Sequence, residues 1–377
     1  GLGDVYKRQL LRSIKLNLAI LLLGCSILFT GCSEPLSDTT DGRLRYWIST
    51  LASDEFEGRA PGTPGGQMTK NFISQTFQDL DIDPINGSYF LDVPTSEITL
   101  KDSSYLTLSF RGNDRKMITG DEVVFWTKQA REYRKIRDSE VVFVGYGIVA
   151  PEYNWNDYEG IDVKGKTVVI LVNDPGFATG KLRLFNGRSM TYYGRWTYKF
   201  EEAARQGAAA AIVVHEEEPA AYPWSVVENS WQGPQLDLQR DDLGADRVIL
   251  EGWIRDSTLT DVLNFTGFNY ESLKEIALEK TFSAFPLRGL TLSSEIHNKV
   301  RYLQSHNIAA VKKGSVQPDE YILFMAHWDH LGFMEGAQIG DDKIANGAVD
   351  NATGVAAVFE FAKRFSEIET DLSLIHI

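Results

Sequence analysis

The stretch that most constrains this chain runs through residues 321–365, where two polar groups interrupt apolar segments. The apolar run at residues 322–326 (ILFMA) predicts a strand that is buried on both faces of a parallel sheet. His327, Trp328, Asp329 and His330 follow it directly. Because ligands bind at the carboxyl ends of strands in open α/β sheets, we expect a site where this strand ends.

The second polar group places Asp350 directly before a predicted helix. The apolar residues of that helix recur at helical spacing: Val355, Val358, Phe359, Ala362 and Phe365. Imidazole and carboxylate are normal zinc ligands, so His327 and Asp350 are predicted to hold a divalent metal. Asp329 lies two residues after His327, on the same side of an extended chain, and could hold the second imidazole N–H. An isolated H-x-D triplet more often consists of ordinary polar residues on the surface, but the flanking strand and helix favour a metal site.

The motifs AHWDHLG and NGAVDNATGVAAVFEFA resemble peptidase family M28, the co-catalytic zinc aminopeptidases and carboxypeptidases. LASDEFEGRAPGTPGG (residues 51–66) and SHNIAAVKKGS (residues 305–315) agree with the same family. The resemblance implies two Zn²⁺ ions that share a bridging aspartate, which Asp350 matches. His327 matches a histidine ligand of one ion, and Asp329 matches the catalytic-site aspartate that orients this histidine.

The resemblance further implies a zinc-dependent, aminopeptidase-like exopeptidase that acts on peptide substrates. Two metal ions about 3.5–4 Å apart would activate the attacking water. The family also implies a cis peptide bond between Asp350 and Asn351. Its general base and remaining ligands come later in the family's order, whereas only residues 366–377 follow the helix. We therefore expect this chain to be the front part of the enzyme and to be inactive by itself.

Alternative functions are an M28 carboxypeptidase and a non-catalytic binding or receptor module with the M28 fold. A serine hydrolase is disfavoured because no G-x-S-x-G occurs, and so no nucleophile elbow is available. The formal net charge of −14 argues against a nucleic-acid partner, since phosphate binding needs a basic surface.

The start of the chain predicts export. Arg12 and Lys15 precede a largely apolar run of fourteen residues (16–29), which is too short to span a membrane but typical of a signal-peptide core. The following FTGCS resembles a bacterial lipobox, with Cys32 as the lipidated residue and Cys25 as a competing site. We expect a lipid-anchored protein of the bacterial cell envelope, in the periplasm or on the outer surface. The alternatives are a non-lipidated signal peptide or a buried helix.

The predicted fold class is α/β: an incomplete phosphorylase/hydrolase-like zinc-peptidase core with a mixed, largely parallel sheet, plus an inserted domain. Residues 1–32 would be a non-native tail plus signal peptide, and residues 33–139 the amino-terminal part of the peptidase domain. Residues 140–290 resemble an inserted, mostly-β protease-associated domain, and residues 291–377 would continue the core. Residues 1–9 and the final LSLIHI resemble translated sequencing-adapter tails, so we leave them out of the predicted fold.

Three further patterns receive no chemical role. GYGIVA (residues 145–150) imitates a dinucleotide fingerprint, but Pro151 and the β-branched residues oppose the helix that this motif requires. His215, followed by three glutamates, is interpreted as a strand end entering a solvated acidic loop rather than a metal ligand. Glu57 and Arg59 lie in a Gly- and Pro-rich loop that is predicted to connect two helices.

Overall fold

The computed structural model describes residues 39–231, 233–334 and 342–377. The predicted signal peptide, Cys25 and Cys32 lie outside the described residues. No helix in these three ranges has the length and apolarity to cross a membrane.

The α-helices of the described part are α1 (Thr40–Leu51), α2 (Pro64–Asp79), α3 (Pro175–Thr179), α4 (Trp196–Arg205), α5 (Glu217–Ala220), α6 (Trp224–Trp231), α7 (Asp256–Asn264), α8 (Tyr270–Ala277) and α9 (Thr353–Ser366). The predicted helices before and after the Gly- and Pro-rich loop are confirmed as α1 and α2, and the helix after Asp350 as α9. Helix α1 starts where the Thr39 hydroxyl accepts from the Gly42 amide, and α2 starts after Thr63 with a proline in its first turn.

The strands are β1 (Asp83–Pro84), β2 (Phe90–Leu100), β3 (Tyr105–Phe110), β4 (Asn113–Lys116), β5 (Val123–Trp126), β6 (Tyr133–Phe143), β7 (Val149–Ala150), β8 (Trp155–Asn156), β9 (Thr167–Leu171), β10 (Ala210–His215), β11 (Pro234–Leu238), β12 (Leu250–Arg255), β13 (Phe285–Ile308), β14 (Ala310–Lys312), β15 (Gln317–Phe324), β16 (Gly332–Phe333), β17 (Ile344–Ala345) and β18 (Leu372–His376). At residues 145–150 no helix opens, because the chain turns through Gly145 and Gly147 into β7. The prediction that no helix opens at these glycines is therefore confirmed.

Two main sheets organise the chain. A four-stranded sheet has the order β1-β14-β18-β15, in which only the β15–β18 pair is parallel. The larger, ten-stranded sheet has the order β11-β2-β13-β6-β9-β10-β12-β5, with β3 attached to β13 and β4 attached to β3. Its central run β6-β9-β10-β12 is parallel and the remaining pairs are antiparallel. The predicted α/β class with a mixed sheet is confirmed.

The prediction that residues 322–326 form a strand buried on both faces is wrong. Strand β15 ends at Phe324 and lies at the edge of its sheet, with β18 as its only partner among the described strands. Ile322, Leu323 and Met325 are 45%, 49% and 67% exposed. The apolar run determines that a strand forms, whereas its burial depends on how many strands and helices cover it.

The placement of LSLIHI outside the fold is also wrong. These residues form β18, which pairs with β14 on one side and with β15 on the other. Leu374 and His376 are buried, and the His376 ring stacks against Phe324 at 5.5 Å between centroids. The adjacent residues Ser373 and Leu374 are both buried, so β18 is covered on both faces.

The four-stranded sheet packs under α1, α2 and α9 through an aromatic core. The Phe359 ring of α9 lies 5.3 Å from that of Trp47 in α1 and 5.5 Å from that of Phe77 in α2, both edge to face. All three side chains are at most 2% exposed. Burying each aromatic side chain contributes about 1.5–3 kcal/mol, so this core fixes the helix that follows Asp350.

The predicted domain boundaries fall inside strands. Strand β6 crosses the boundary between residues 139 and 140, and β13 crosses the one between residues 290 and 291. Strands β2 and β3, which precede residue 140, pair with β13 in the ten-stranded sheet. The division into domains stays a prediction.

Candidate metal centre

The two predicted metal ligands meet at the carboxyl end of β15. His327 follows the last residue of this strand by three positions, and Asp350 lies in the turn Ala348–Ala352 that leads into α9. The Nε2 atom of His327 is 3.0 Å from Oδ1 of Asp350. Both side chains face solvent, at 53% and 70% exposure, so the paired atoms are accessible to an ion.

Asp329 lies on the other side of the imidazole. Nδ1 of His327 is 3.1 Å from the backbone carbonyl oxygen of Asp329 and 3.5 Å from its carboxylate Oδ1. When its proton is on Nδ1, the imidazole donates to the carbonyl oxygen, with the carboxylate close behind it. This arrangement leaves Nε2 as the nitrogen that faces Asp350, which is the tautomer that a metal ligand needs.

The geometry of the pair fits a zinc ion. Two ligands that each lie about 2.0–2.1 Å from one zinc ion in a tetrahedral arrangement are about 3.3 Å apart. The 3.0 Å between Nε2 and Oδ1 is close to this separation, and both donors are of the type that zinc prefers. Within residues 39–231, 233–334 and 342–377, no group of three or more His, Cys, Asp or Glu side chains is placed to hold a metal. The described residues thus contribute a pair of ligands.

The backbone around Asp350 has the conformation that the M28 resemblance implies. The peptide bond between Asp350 and Asn351 is cis, which confirms that prediction. The turn begins at Gly347, whose φ of 60° and ψ of 45° are left-handed. A Cβ atom at Gly347 would lie 2.5 Å from Nη2 of Arg59, so a side chain is excluded by space as well as by conformation. The Asn351 side chain then accepts from the Gly354 amide at the start of α9.

Arg59 lies against these loops, at the end of the 3₁₀ segment Asp54–Arg59. Its side chain is almost completely buried, and the residue is 1% exposed. The guanidinium donates to four backbone carbonyls: Leu51 at 2.5 Å, Asn346 at 2.5 Å, Gly347 at 2.8 Å and Trp328 at 3.0 Å. Our sequence interpretation gave this residue no role, because no spacing rule connects it to carbonyls 269 to 288 positions away.

The loop that carries Arg59 packs backbone against backbone beneath the β16–β17 hairpin. A Cβ atom at Gly58 would lie 2.6 Å from the Ala345 carbonyl oxygen and 2.8 Å from the Gly332 Cα. The Asn346 side chain donates to Asp54 at 2.8 Å. The prediction that this loop connects two helices is correct but incomplete, since the loop also supports the site.

Electrostatics link Arg59 to the candidate ligands. Burial lowers the pKa of Arg59, and the nearby charges of Asp329 and Asp350 raise it. An arginine keeps its charge under these conditions, so a fixed cation lies below the carboxylates. Burial also lowers the pKa of His330, against the opposing effect of Asp350. The His330 ring packs beside Gly347, and its amide donates to the Arg59 carbonyl at 3.4 Å.

A cavity of about 480 Å³ opens beside the His–Asp pair. Its polar edge is formed by His327, Asp329 and Asn351. Its apolar wall comes from α2, α9 and the ends of β13 and β15: Ile73, Phe77, Ile308, Met325, Val355, Val358 and Phe359. Polar groups at the rim of an apolar cavity are typical of a site that orients a substrate.

His215 has a structural environment. It ends β10, is 3% exposed, and its Nε2 lies 3.1 Å from the Tyr222 carbonyl oxygen. Its ring packs against Trp224 and Trp253 at 5.5 Å and 5.9 Å. The side chain is therefore enclosed rather than solvated, and its Nε2 is occupied by a backbone contact.

Residues 307–375 match the model of peptidase family M28. The matched range contains His327, Asp329 and Asp350, and the resemblance that the motifs indicated is confirmed. This segment of the chain is similar to peptidase family M28.

Solved structures of aminopeptidases are also similar to this chain. The aminopeptidase from Aneurinibacillus sp. strain AM-1 is 20% identical, with a TM-score of 0.44 over 90% of this chain and 61% of that one. BSAP, a zinc aminopeptidase from Bacillus subtilis, is 17% identical, with a TM-score of 0.38 over 91% and 61% of the two chains. The chain thus spans about 61% of the length of these proteins. A search among curated proteins finds no match.

Proposed function

We propose that the protein is a zinc-dependent exopeptidase of the aminopeptidase type that hydrolyses peptide bonds with two zinc ions. The observation that carries the proposal is the 3.0 Å contact between Nε2 of His327 and Oδ1 of Asp350 at a strand end. The M28 match over residues 307–375 supports it, because this range contains both side chains.

Each side chain would have a defined task. His327 would bind one ion through Nε2, while the Asp329 carbonyl and carboxylate hold the imidazole from the Nδ1 side. Asp350 would help to hold both ions through its carboxylate. When bound, the zinc ions would lower the pKa of a water molecule towards 7 and polarise the scissile carbonyl.

The apolar cavity would bind a side chain of the substrate. Its volume of about 480 Å³ and the phenylalanines on its wall suit a large apolar residue next to the scissile bond. Its polar rim contains His327, so a side chain seated in the cavity would place the adjoining peptide bond near the ligand pair.

Metal binding provides the direct test. We expect the purified full-length protein to bind zinc in titration calorimetry, and His327→Ala and Asp350→Asn each to weaken this binding at least 100-fold. His297→Ala is the matched control, because His297 is a partly exposed histidine that contacts a carboxylate elsewhere. Zinc affinity that is unchanged in His327→Ala would refute the ligand assignment.

Substrate assays of the full-length protein separate the related activities. Cleavage of an aminoacyl-nitroanilide, lost on chelation and restored by zinc, would support an aminopeptidase. Cleavage restricted to peptides with a free carboxyl end would indicate a carboxypeptidase. Peptide binding without cleavage in the zinc-loaded protein would indicate a binding module.

We also propose that the protein is exported and attached to the envelope membrane through lipidated Cys32, and that residues 140–290 form a protease-associated domain. The lipobox-like FTGCS after a short apolar run supports the first proposal. Fractionation of cells that express Cys32→Ala tests it, since the variant should leave the membrane fraction while Cys25→Ala should remain there. Independent folding of residues 140–290 would test the second proposal.

A further inference from the structure

The loop EFEGRAPGTPGG contains a buried cation that the proposed chemistry does not use. We propose that Arg59 is a positioning residue that sets the separation of the two segments carrying the zinc ligands. The inference rests on the proposed zinc-dependent function and assigns to Arg59 a task within that site. We call residues 327–330 and 346–352 the ligand loops.

The guanidinium contacts both ligand loops at points close to the ligands. Trp328, whose carbonyl accepts from Nε at 3.0 Å, lies between His327 and Asp329. The Asn346 and Gly347 carbonyls, which accept at 2.5 Å and 2.8 Å, precede Asp350 by four and three residues. One planar group thereby joins the two loops whose side chains meet at 3.0 Å.

The guanidinium of Arg59 also contacts a third segment, the end of helix α1. Nη1 of Arg59 also donates to the carbonyl of Leu51, the last residue of α1, at 2.5 Å. Leu51 is fully buried in the core that α1 shares with α9. The ligand loops are therefore held relative to a packed helix and not only relative to each other.

The chemistry of arginine suits this task. A guanidinium offers five N–H donors in a fixed plane, whereas a lysine offers three donors from a single point. Arg59 is 1% exposed and forms no ion pair within 4.0 Å among the residues of ranges 39–231, 233–334 and 342–377. Since burying such a charge is costly, its four carbonyl contacts account for its presence in this position.

Charge and geometry predict opposite effects when Arg59 is replaced. A cation below the ligand pair repels a metal ion, so an effect of charge alone would make Arg59→Met bind zinc more tightly and leave Arg59→Lys unchanged. If Arg59 positions the loops, both variants lose the planar set of donors and both bind zinc more weakly. The sign of the change therefore separates the two explanations.

Two control variants separate positioning from general support of the fold. Glu57 lies in the same 3₁₀ segment, and its carboxylate accepts from the Gly65 amide at 3.1 Å, away from the ligand loops. Arg45 is an exposed arginine of α1 that pairs with Asp41. Glu57→Gln perturbs the loop without touching the ligand loops, and Arg45→Met removes an arginine that has no contact with them.

The experiment compares zinc affinity, the visible spectrum of the Co²⁺-loaded protein, and amide hydrogen exchange without metal. We expect Arg59→Lys and Arg59→Met to weaken zinc binding 10- to 100-fold, the range found when groups that orient metal ligands are lost. Both should alter the Co²⁺ spectrum and exchange faster in the ligand loops, with strand β9 unchanged. Glu57→Gln and Arg45→Met should stay within threefold of the original zinc affinity.

Zinc affinity within threefold of the original protein in both Arg59 variants, or tighter binding in Arg59→Met, would overturn the inference. If Arg59→Met does not fold, as judged by circular dichroism, Arg59→Lys decides. If the original protein shows no zinc binding that depends on His327, the proposed function fails, and hydrogen exchange alone then decides the role of Arg59. If amide hydrogen exchange in the ligand loops of the Arg59 variants is unchanged, the positioning role of Arg59 is overturned. Faster exchange that is confined to the ligand loops would support this role.

Discussion

Glu360 links the helix that follows Asp350 to the first helix of the described chain. Its side chain is 9% exposed, and its carboxylate accepts from Arg43 at 2.8 Å and 2.9 Å, from Thr40 at 2.9 Å and from Arg364 at 2.9 Å. Hydrogen bonds from Arg43, followed by those from Arg364 and Thr40, lower the pKa of Glu360 to about 2 against the opposing effect of burial.

The lowered pKa of Glu360 determines how much this carboxylate stabilises the fold and over which pH range it does so. A fall from 4.5 to about 2 corresponds to at most about 3.5 kcal/mol of folding free energy, at about 1.4 kcal/mol per pH unit. Because the folded-state pKa lies below the unfolded-state pKa, the contribution is complete above about pH 4.5. It is lost progressively as the pH falls from there towards about 2.

Glu360→Gln tests this reasoning, since it keeps the shape of the side chain and removes its charge. We expect urea unfolding at pH 7 to give a free energy of unfolding about 2–3 kcal/mol lower than that of the original protein. The difference should shrink at pH 4 and again at pH 3.5.

Glu367→Gln is the matched control. This exposed glutamate of the same helical region pairs with Lys363, and its replacement should leave the unfolding curve unchanged. If Glu360→Gln lowers the free energy of unfolding equally at pH 7 and pH 3.5, or does not lower it at pH 7, the stabilisation does not come from the charge of Glu360.

Three further predictions concern the site and the large sheet. Asp329→Asn keeps the backbone contact to His327, so calorimetry should show zinc binding weaker by about tenfold, and unchanged affinity would contradict the orienting role. Gly347→Ala should lower the free energy of unfolding by about 1–3 kcal/mol more than Gly160→Ala does, because Gly160 also has a left-handed backbone but has open space around it. Equal losses of the two variants in denaturant titrations would exclude the steric cause. Burial raises the pKa of Glu251, so ionisation of this carboxyl group lowers the stability of the fold as the pH rises above about 4.5. Urea unfolding at pH 7 should therefore show that Glu251→Gln is neutral or stabilising. A clear loss of stability in this variant would contradict the reasoning.

Local patterns predicted the elements that carry the site. Apolar spacing predicts α1, α2 and α9, because a helix that packs on a core needs one apolar face. The polar residues after an apolar run predict ligands at a strand end, and the structure brings His327 and Asp350 together there. The M28 resemblance adds the cis peptide after Asp350, which spacing by itself does not predict.

The same patterns were insufficient where the outcome depends on neighbouring elements. The apolar run of β15 predicts a strand, but its exposure follows from a place at the sheet edge with one partner in the described chain. The final apolar residues were set aside because of their resemblance to an adapter tail, yet the structure pairs them between β14 and β15.

The sequence by itself determined which residues form helices and strands and which side chains can bind a metal, because these properties depend on neighbours along the chain. The tertiary structure decided which atoms meet. Nδ1 of His327 is closest to the Asp329 carbonyl rather than its carboxylate, and Arg59 reaches carbonyls more than 260 positions away. Such contacts follow from the packing of separate segments, and local spacing contains no information about that packing.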